Sequence, residues 1–507
     1  EIDSGYLFLN KNYKNNEKDK IKIKIIKEQN KDYEIEAFIN NKENTINSSE
    51  LLNYIQIDKS IINDQDLNFD SNNHISFNLN EQSKIKNLKI ISKLDLNKLL
   101  LKYKFSKLKK IFPNYNNIIK TKNNIINIDF SSNNLKIVAN GNYAFDKKFD
   151  KFNFELSKNK KEISFNTEVE FKTEPIILKN INYKKEKDIL SKIKFKGEYF
   201  ENKKIKFHNI NFTENLNNFL LSNLYLSNKF KIIDLDKLQI KFFNNDGKLN
   251  HLTVLKKNEI FELNSKNFDG RMFVSNLLIS DTSNSFLKRF DNLNSKFILN
   301  SEEFFITKID YLNKINGNLI IENNKIKSGN IIAKLNGKND FSLNIKTNSN
   351  NEKVTNLFIN KPEPFIKYYK FIKGFEEGSL SYDSVEKNGI SKSKLKIYDF
   401  KVKEVPVLAK ILTLASLQGI ADILTGEGIR FDDLEMDYES SKKLTTINEL
   451  YAIGPAISIL LEGYIEKKKL TSLRGTLVPA TTINKTISKI PLLGNILVGK
   501  KVGEGVF

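Results

Sequence analysis

The 507-residue chain contains no cysteine. Disulfides, thiolate catalysis and cysteine-based metal sites are excluded, while the compartment stays open, because exported and cytosolic proteins can both lack disulfides. Histidine is nearly as scarce. His74, His208 and His251 fall in separate strand-like or turn segments, with no second histidine or carboxylate at ligand spacing. Serine-hydrolase, zincin, phosphate-loop and dinucleotide fingerprints are missing. The stretch "GEGIRFDD" (426–433) follows an apolar segment and lacks a phosphate-loop lysine, so it reads as a turn entering a strand. Asp432 and Asp433 would then point to opposite faces and form no acid–base dyad. The expectation is a protein that is not an enzyme and carries no cofactor.

Arginine occurs four times, as Arg271, Arg289, Arg430 and Arg474, although the net charge is +21. Base readout depends on arginine's planar fork, so nucleic acid is not the expected partner. The lysines are spread along the whole chain, as an AT-rich coding sequence would produce. They imply a solvated basic surface and, secondarily, attraction to anionic lipid headgroups. No run of about 18 uncharged apolar residues and no signal peptide occurs. The chain starts at Glu1 without methionine and stops after Phe507, which reads as a fragment, with a membrane anchor expected upstream.

What the chain has in abundance is alternation. "IKIKIIK" places Ile21, Ile23 and Ile25 on one face, and "HISFNLN" does the same for Ile75, Phe77 and Leu79. Phe152 and Phe154 in "FNFEL", then Ile163, Phe165, Val169 and Phe171 in "ISFNTEVEF", continue the theme. A period of two with one apolar face marks half-buried antiparallel strands. "NNDG" (244–247) and "LNGKND" (335–340) supply turns. Short helices are expected over 96–112, ended by Pro113, over 268–281, and over 362–375 with Pro364 in the first turn.

Composition changes near residue 401. Glycine and proline become dense, and Pro406 opens an apolar helix to about Leu424 that carries Leu408, Ile411, Leu412, Leu414 and Leu417. Three regions are therefore expected: a repetitive β segment 1–260, its continuation with short helices 261–400, and a more helical module 401–507. The expected fold is mainly β, a long curled antiparallel sheet with an apolar groove. The named Ile, Phe, Leu and Val residues would line the groove, and the 406–424 helix would cap or gate it.

The blocks "YDFKVKEVPVLAKILTLASLQGIADILTGEGIRFDDLEMDY" (398–438), "AIGPAISILLEGYIE" (452–466), "LRGTLVPATTIN" (473–484) and "IPLLGNILVGKKVGEGVF" (490–507) resemble, in order, the C-terminal region of the AsmA-like superfamily, notably its YhdP-type members, which are related to TamB. "NFDGR" (267–271) and "FIKYYKFIKGFEEGSL" (365–380) resemble the segments before it. The resemblance implies a bridge-like carrier of the Gram-negative envelope, lying in the periplasm and tethered to the inner membrane by an N-terminal helix outside this chain. Such a carrier would pass phospholipid toward the outer membrane or an envelope partner protein without catalysis. The alternatives are an envelope scaffold or assembly factor for outer-membrane proteins, and a polyanion binder. An outer-membrane barrel fits poorly, because lysines interrupt nearly every strand.

Overall fold

The structure, a computed structural model, describes residues 4–9, 20–48, 64–102, 106–160, 162–200, 204–278, 286–369, 372–403, 426–466 and 469–479. It is mainly β, with 71% of residues in strands and 5% in helices, and the sheet does not close into a barrel. Contacts divide the chain into two units, Glu1–His251 and Leu252–Phe507.

The first unit opens with β1 (Ser4–Leu9), β2 (Lys20–Ile26), β3 (Tyr33–Asn47), β4 (Asp66–Leu79) and β5 (Ile85–Lys102). After α1 (Ser106–Ile111) come β6 (Ile118–Ser131), β7 (Asn134–Ala144), β8 (Asp150–Lys158) and β9 (Ile163–Phe171). Then follow β10 (Ile176–Leu178), β11 (Tyr183–Lys185), β12 (Ser191–Tyr199), β13 (Ile205–Glu214), β14 (Asn217–Leu226), β15 (Ile232–Asp234) and β16 (Lys237–Phe243). The unit boundary falls within β17 (Leu249–Lys257). Strands β1 to β9 form an antiparallel meander, each pairing with the next. The ladder continues through β12, β13, β14 and β16, while β10 and β11 leave it as a separate two-stranded ribbon.

The second unit contains β18 (Ile260–Asp269), α2 (Arg271–Leu278), β19 (Ser295–Phe305), β20 (Tyr311–Glu322), β21 (Lys325–Leu335), β22 (Asn339–Thr347) and β23 (Lys353–Asn360). It continues with α3 (Glu363–Tyr368), β24 (Phe375–Lys387), β25 (Ile390–Val402), β26 (Ile429–Ser440), β27 (Leu444–Ile453), β28 (Ile457–Glu466) and β29 (Leu470–Pro479). From β19 onward every neighbour is antiparallel. The all-antiparallel expectation fails at β18 and β19, which are parallel, with Ile260 opposite Lys296. A parallel pair needs a crossover of about a dozen residues or more, and the segment containing α2 supplies it. At its start Arg271 forks onto Asp269, Nε to Oδ1 at 2.8 Å and Nη2 to Oδ2 at 2.5 Å, with both side chains buried. Tyr369 fixes the same corner by donating to the carbonyls of Arg271 and Ile306.

The helix expected over 96–112 is a second correction. Strand β5 runs on to Lys102, paired with β6 as far as Lys102 opposite Ile118, and among the described residues of this span only Ser106–Ile111 is helical. Leucine and lysine favour helix locally, but the ladder satisfies their backbone groups first. The other two helices form in shortened versions, Arg271–Leu278 and Glu363–Tyr368, the latter with proline in its first turn. Residue 426 is in a turn and Ile429 opens β26, as expected. In the C-terminal region the described residues after Gly426 are strands, and the helix predicted at 406–424 lies outside the described residues.

Two substitutions test this framework. Arg271→Met leaves Asp269, 4% exposed, without its guanidinium, and should destabilise the second unit by about 3–5 kcal/mol in a denaturant titration. In the Asn388–Gly389 turn between β24 and β25 both residues have positive φ, and nothing lies within 4 Å of a Cβ added at Gly389 (φ +79°). Gly389→Ala should therefore cost about 1 kcal/mol through backbone strain alone.

Candidate functional site

Cross-strand partners share a face of a sheet, and alternate residues of a strand point to opposite faces. Following the register strand by strand gives one row in the first unit: Ile21, Ile39, Asn73, Ser92, Ile128, Ile137, Leu156, Phe165, Gly197, Phe207 and Leu224. The row beside it contains Leu94, Ile126, Ala139, Phe154, Thr167, Phe195, Ile210, Leu221 and Leu238. Every residue expected to line a groove sits on this same face. Ile23 meets Ala37 and then Ile75; Ile25 meets Ile35 and then Phe77; Leu79 pairs with Tyr33. Phe152 pairs with Val169, Ile163 with Lys158, and Phe171 with Ser191.

Most of these side chains are half-buried: neighbours in the sheet screen them, and Ile25 is 37% exposed. Phe165, Phe195 and Phe207 form an edge-to-face trio with centroids 5.5–6.1 Å apart. Gly197 makes room for it, since a Cβ there would lie 2.8 Å from Phe165 Cζ. A few polar groups interrupt the face; Asn73 accepts a hydrogen bond from Ser92 and donates to Ser71 Oγ at 2.9 Å.

One end of the face is closed. Phe171 is buried against Phe112 and Tyr143, which also touch Phe145. The β10–β11 ribbon lays Tyr183 across Phe212, Phe219 and Phe242 at centroid distances of 5.2–6.2 Å. Tyr183 donates to Glu214, and burial pushes its phenol up from the ordinary value. Lys185, beside it, is 1% exposed and donates to the carbonyl of Glu174 at 2.6 Å. Burial pushes this ammonium down and the buried Glu174 carboxyl up, so both groups lean toward their neutral forms. The seal is thus aromatic with internally satisfied polar groups. Alternation pointed to Phe171 alone of the residues named here, and the layer that covers it was not legible in that pattern.

The second unit has its own apolar row, which sequence reading did not single out. Leu263, Leu299, Gly317, Ile331, Leu343, Leu357, Tyr382, Leu395, Met436, Leu450, Leu461 and Gly475 are successive partners from β18 to β29. Its large side chains are also half-buried. Toward one strand end the same face is sealed by a core of Ile366 from α3 with Phe375, Ile397, Phe400, Ile429 and Phe431.

The opposite face of the first unit carries lysine, asparagine and glutamate. Lys192 and Lys194 reach Glu168 and Glu170 at 2.8–3.4 Å. Sequence spacing puts no carboxylate at ligand distance from a histidine, but the fold brings one close: His208 Nε2 is 2.8 Å from Glu198 Oε1, because strand pairing joins residues ten apart. A cavity of about 840 Å³ opens on this polar face. Phe38, His74, Ile91 and Val138 are among its lining residues, together with Lys20, Lys22, Lys93, Lys136 and Asp129.

Among the described residues no group of three metal-ligating side chains gathers, and no helix is long and apolar enough to cross a membrane. Pro406, Leu408, Ile411, Leu412, Leu414 and Leu417 lie outside the described residues. No protein-family model, curated protein or solved structure matches this chain.

The seal and the open rows should respond differently to charge. Phe171→Asp puts a carboxylate at an 8% exposed position and should cost about 4 kcal/mol or more. Phe165→Asp, on the half-buried stretch, should cost about 1–2 kcal/mol and leave the far-ultraviolet circular dichroism unchanged.

Proposed function

We propose that the chain is a non-enzymatic carrier of phospholipid, whose acyl chains lie along the half-buried apolar face. One observation carries the reading: the in-phase apolar row from Ile21 to Leu224, closed at one strand end and half-buried elsewhere. With strands about 4.8 Å apart, that row is roughly 50 Å long. Each acyl CH₂ left in water costs about 0.8 kcal/mol, so a two-chain lipid crossing water faces a barrier on the order of 20 kcal/mol. A continuous apolar surface lowers that barrier without a catalytic group.

The resemblance of residues 398–507 to the AsmA-like superfamily supports the same reading, with the protein in the periplasm, tethered to the inner membrane and supplying the outer membrane. The paired lysines and glutamates of the opposite face keep that side in water.

Purification of the chain from a bacterial envelope, native mass spectrometry and lipid extraction form the test. Several phospholipids per chain are expected, with most lost in Phe165→Asp. A lipid-free, monodisperse chain would instead favour the scaffold for outer-membrane protein assembly.

A further inference from the structure

In the second unit, the face opposite to the apolar row carries Lys394, Lys396 and Glu435 in its middle. It changes character at one strand end, where β24 turns into β25, β26 into β27 and β28 into β29. Val385, Lys392, Glu439, Thr446, Tyr464 and Ser472 are successive partners from β24 to β29. Lys392 and Glu439 stand three residues from Leu395 and Met436, an odd number, so this row is on the other side of the sheet from the apolar one. Ile390, Leu444 and Leu470 stand two residues nearer the tips than Lys392, Thr446 and Ser472, and therefore point the same way.

Val385, Ile390, Leu444, Tyr464 and Leu470 are each between 40% and 52% exposed. Single exposed apolar side chains are ordinary on any protein surface, whereas neighbouring ones mark an interaction site. Each hairpin adds two strand spacings, so the three tips follow one another at about 10 Å.

Lysines surround the five. Lys387, Lys392 and Lys469 are engaged, with Glu352, Glu439 and Glu466 at 3.0, 3.2 and 2.8 Å. Lys442 and Lys443, in the turn that leads into Leu444, are exposed and form no ion pair among the described residues. The three ion pairs cancel, so these two lysines leave the patch net positive. Protein interfaces deplete lysine and centre on aromatic residues and arginine. An anionic bilayer surface suits this mixture better: lysine is drawn to the headgroups, aliphatic side chains enter the acyl boundary, and tyrosine sits at the level between.

We propose that this strand end of the second unit docks on the surface of an anionic phospholipid bilayer. Ile390, Leu444 and Leu470 enter the interface, and Lys442 and Lys443 lie against the headgroups. The patch is on the face opposite to the apolar row, so the proposal does not rest on phospholipid carriage. It is also distinct from the helical tether that the family resemblance implies, because strand tips make the contact and lipid charge controls it.

The chain has no tryptophan, so Leu444→Trp supplies a single reporter in the full chain. Vesicles of phosphatidylcholine with phosphatidylglycerol are expected to shift its emission to the blue, and vesicles of phosphatidylcholine alone to leave it unchanged. Ile309→Trp, at a 78% exposed position in the turn between β19 and β20, reports on the opposite strand end and is expected to stay unshifted with both. Lys442→Gln with Lys443→Gln, added to Leu444→Trp, should weaken partition onto the anionic vesicles about twenty-fivefold, about fivefold for each lysine. None of these changes falls on the apolar rows, so phospholipid copurifying with the chain should be unaffected, and failure here would leave carriage standing. No blue shift with anionic vesicles would overturn the proposal in favour of a protein partner. An equal shift with phosphatidylcholine alone, an equal shift from Ile309→Trp, or partition that the lysine variant leaves unchanged would overturn it as well.

Discussion

The structure depends on the phase of its ladders. A strand has a period of two, so one slipped residue would move its whole apolar set to the other face. Across β2 to β14 the pairing keeps Ile21, Ile39, Ile128, Ile137, Leu156, Phe165 and Phe207 on one side, although the ladder is interrupted at several points. Irregularities fall at Asn41/Asn44, Ser76/Asn78, Lys122/Ile125 and Lys196/Gly197. Each extra residue is taken up locally, and the alternation resumes in phase on both sides, as a bulge permits. The apolar face is thus a property of the register as a whole and of no single strand.

The register also gives a structural use to the asparagine content. Among the described residues, thirteen of the twenty-two non-glycine positions with positive φ are asparagine, including Asn123 beside a ladder shift and the Asn323–Asn324 turn between β20 and β21. Asparagine tolerates the left-handed conformation better than other residues with a Cβ, because its short amide can bond locally. The AT-rich composition that the sequence suggests therefore coincides with what tight hairpins and bulges need. With 21 glycines in 507 residues, much of that work falls to asparagine.

Strand character and facing were legible because they rest on period alone. "IKIKIIK" and "ISFNTEVEF" carry the two-residue pattern whatever their neighbours do, and all twelve lining candidates share a face for that reason. Features that depend on distant partners were hidden. Residues 96–102 look helical in isolation and become strand because β6 pairs with them. His208 has no carboxylate nearby in sequence, yet Glu198 stands across the ladder. The parallel β18–β19 pair follows from a crossover whose corner is closed by Tyr369 donating to the carbonyls of Ile306 and Arg271, 63 and 98 residues away. Phe171 shows both levels at once: alternation places it on the apolar face, but only the fold of α1 against β9 and β10 makes it part of the seal.

An open sheet with one apolar face must either cover that face or use it. Among the described residues the covering is partial and specific. In the first unit the aromatic seal around Phe171 and Tyr183 closes the strand ends, and in the second α3 closes the face around Ile366 and Phe375. The first seal is complete enough to bury polar groups such as Asp150, Glu174 and Lys185, which requires that water be excluded there. Water exclusion at one strand end and half-burial along the adjacent rows are achieved by the same kinds of residue, phenylalanine, isoleucine and leucine. Hydrophobicity alone therefore does not separate the two regions. The difference is the extra layer, and among the described residues extra layers are supplied at the strand ends by α1, the β10–β11 ribbon, α2 and α3. A sequence that could bury Lys185 on its apolar side had the means to cover the middle rows as well. Their half-burial over so many successive strands is the feature on which the proposed carriage of an apolar cargo rests.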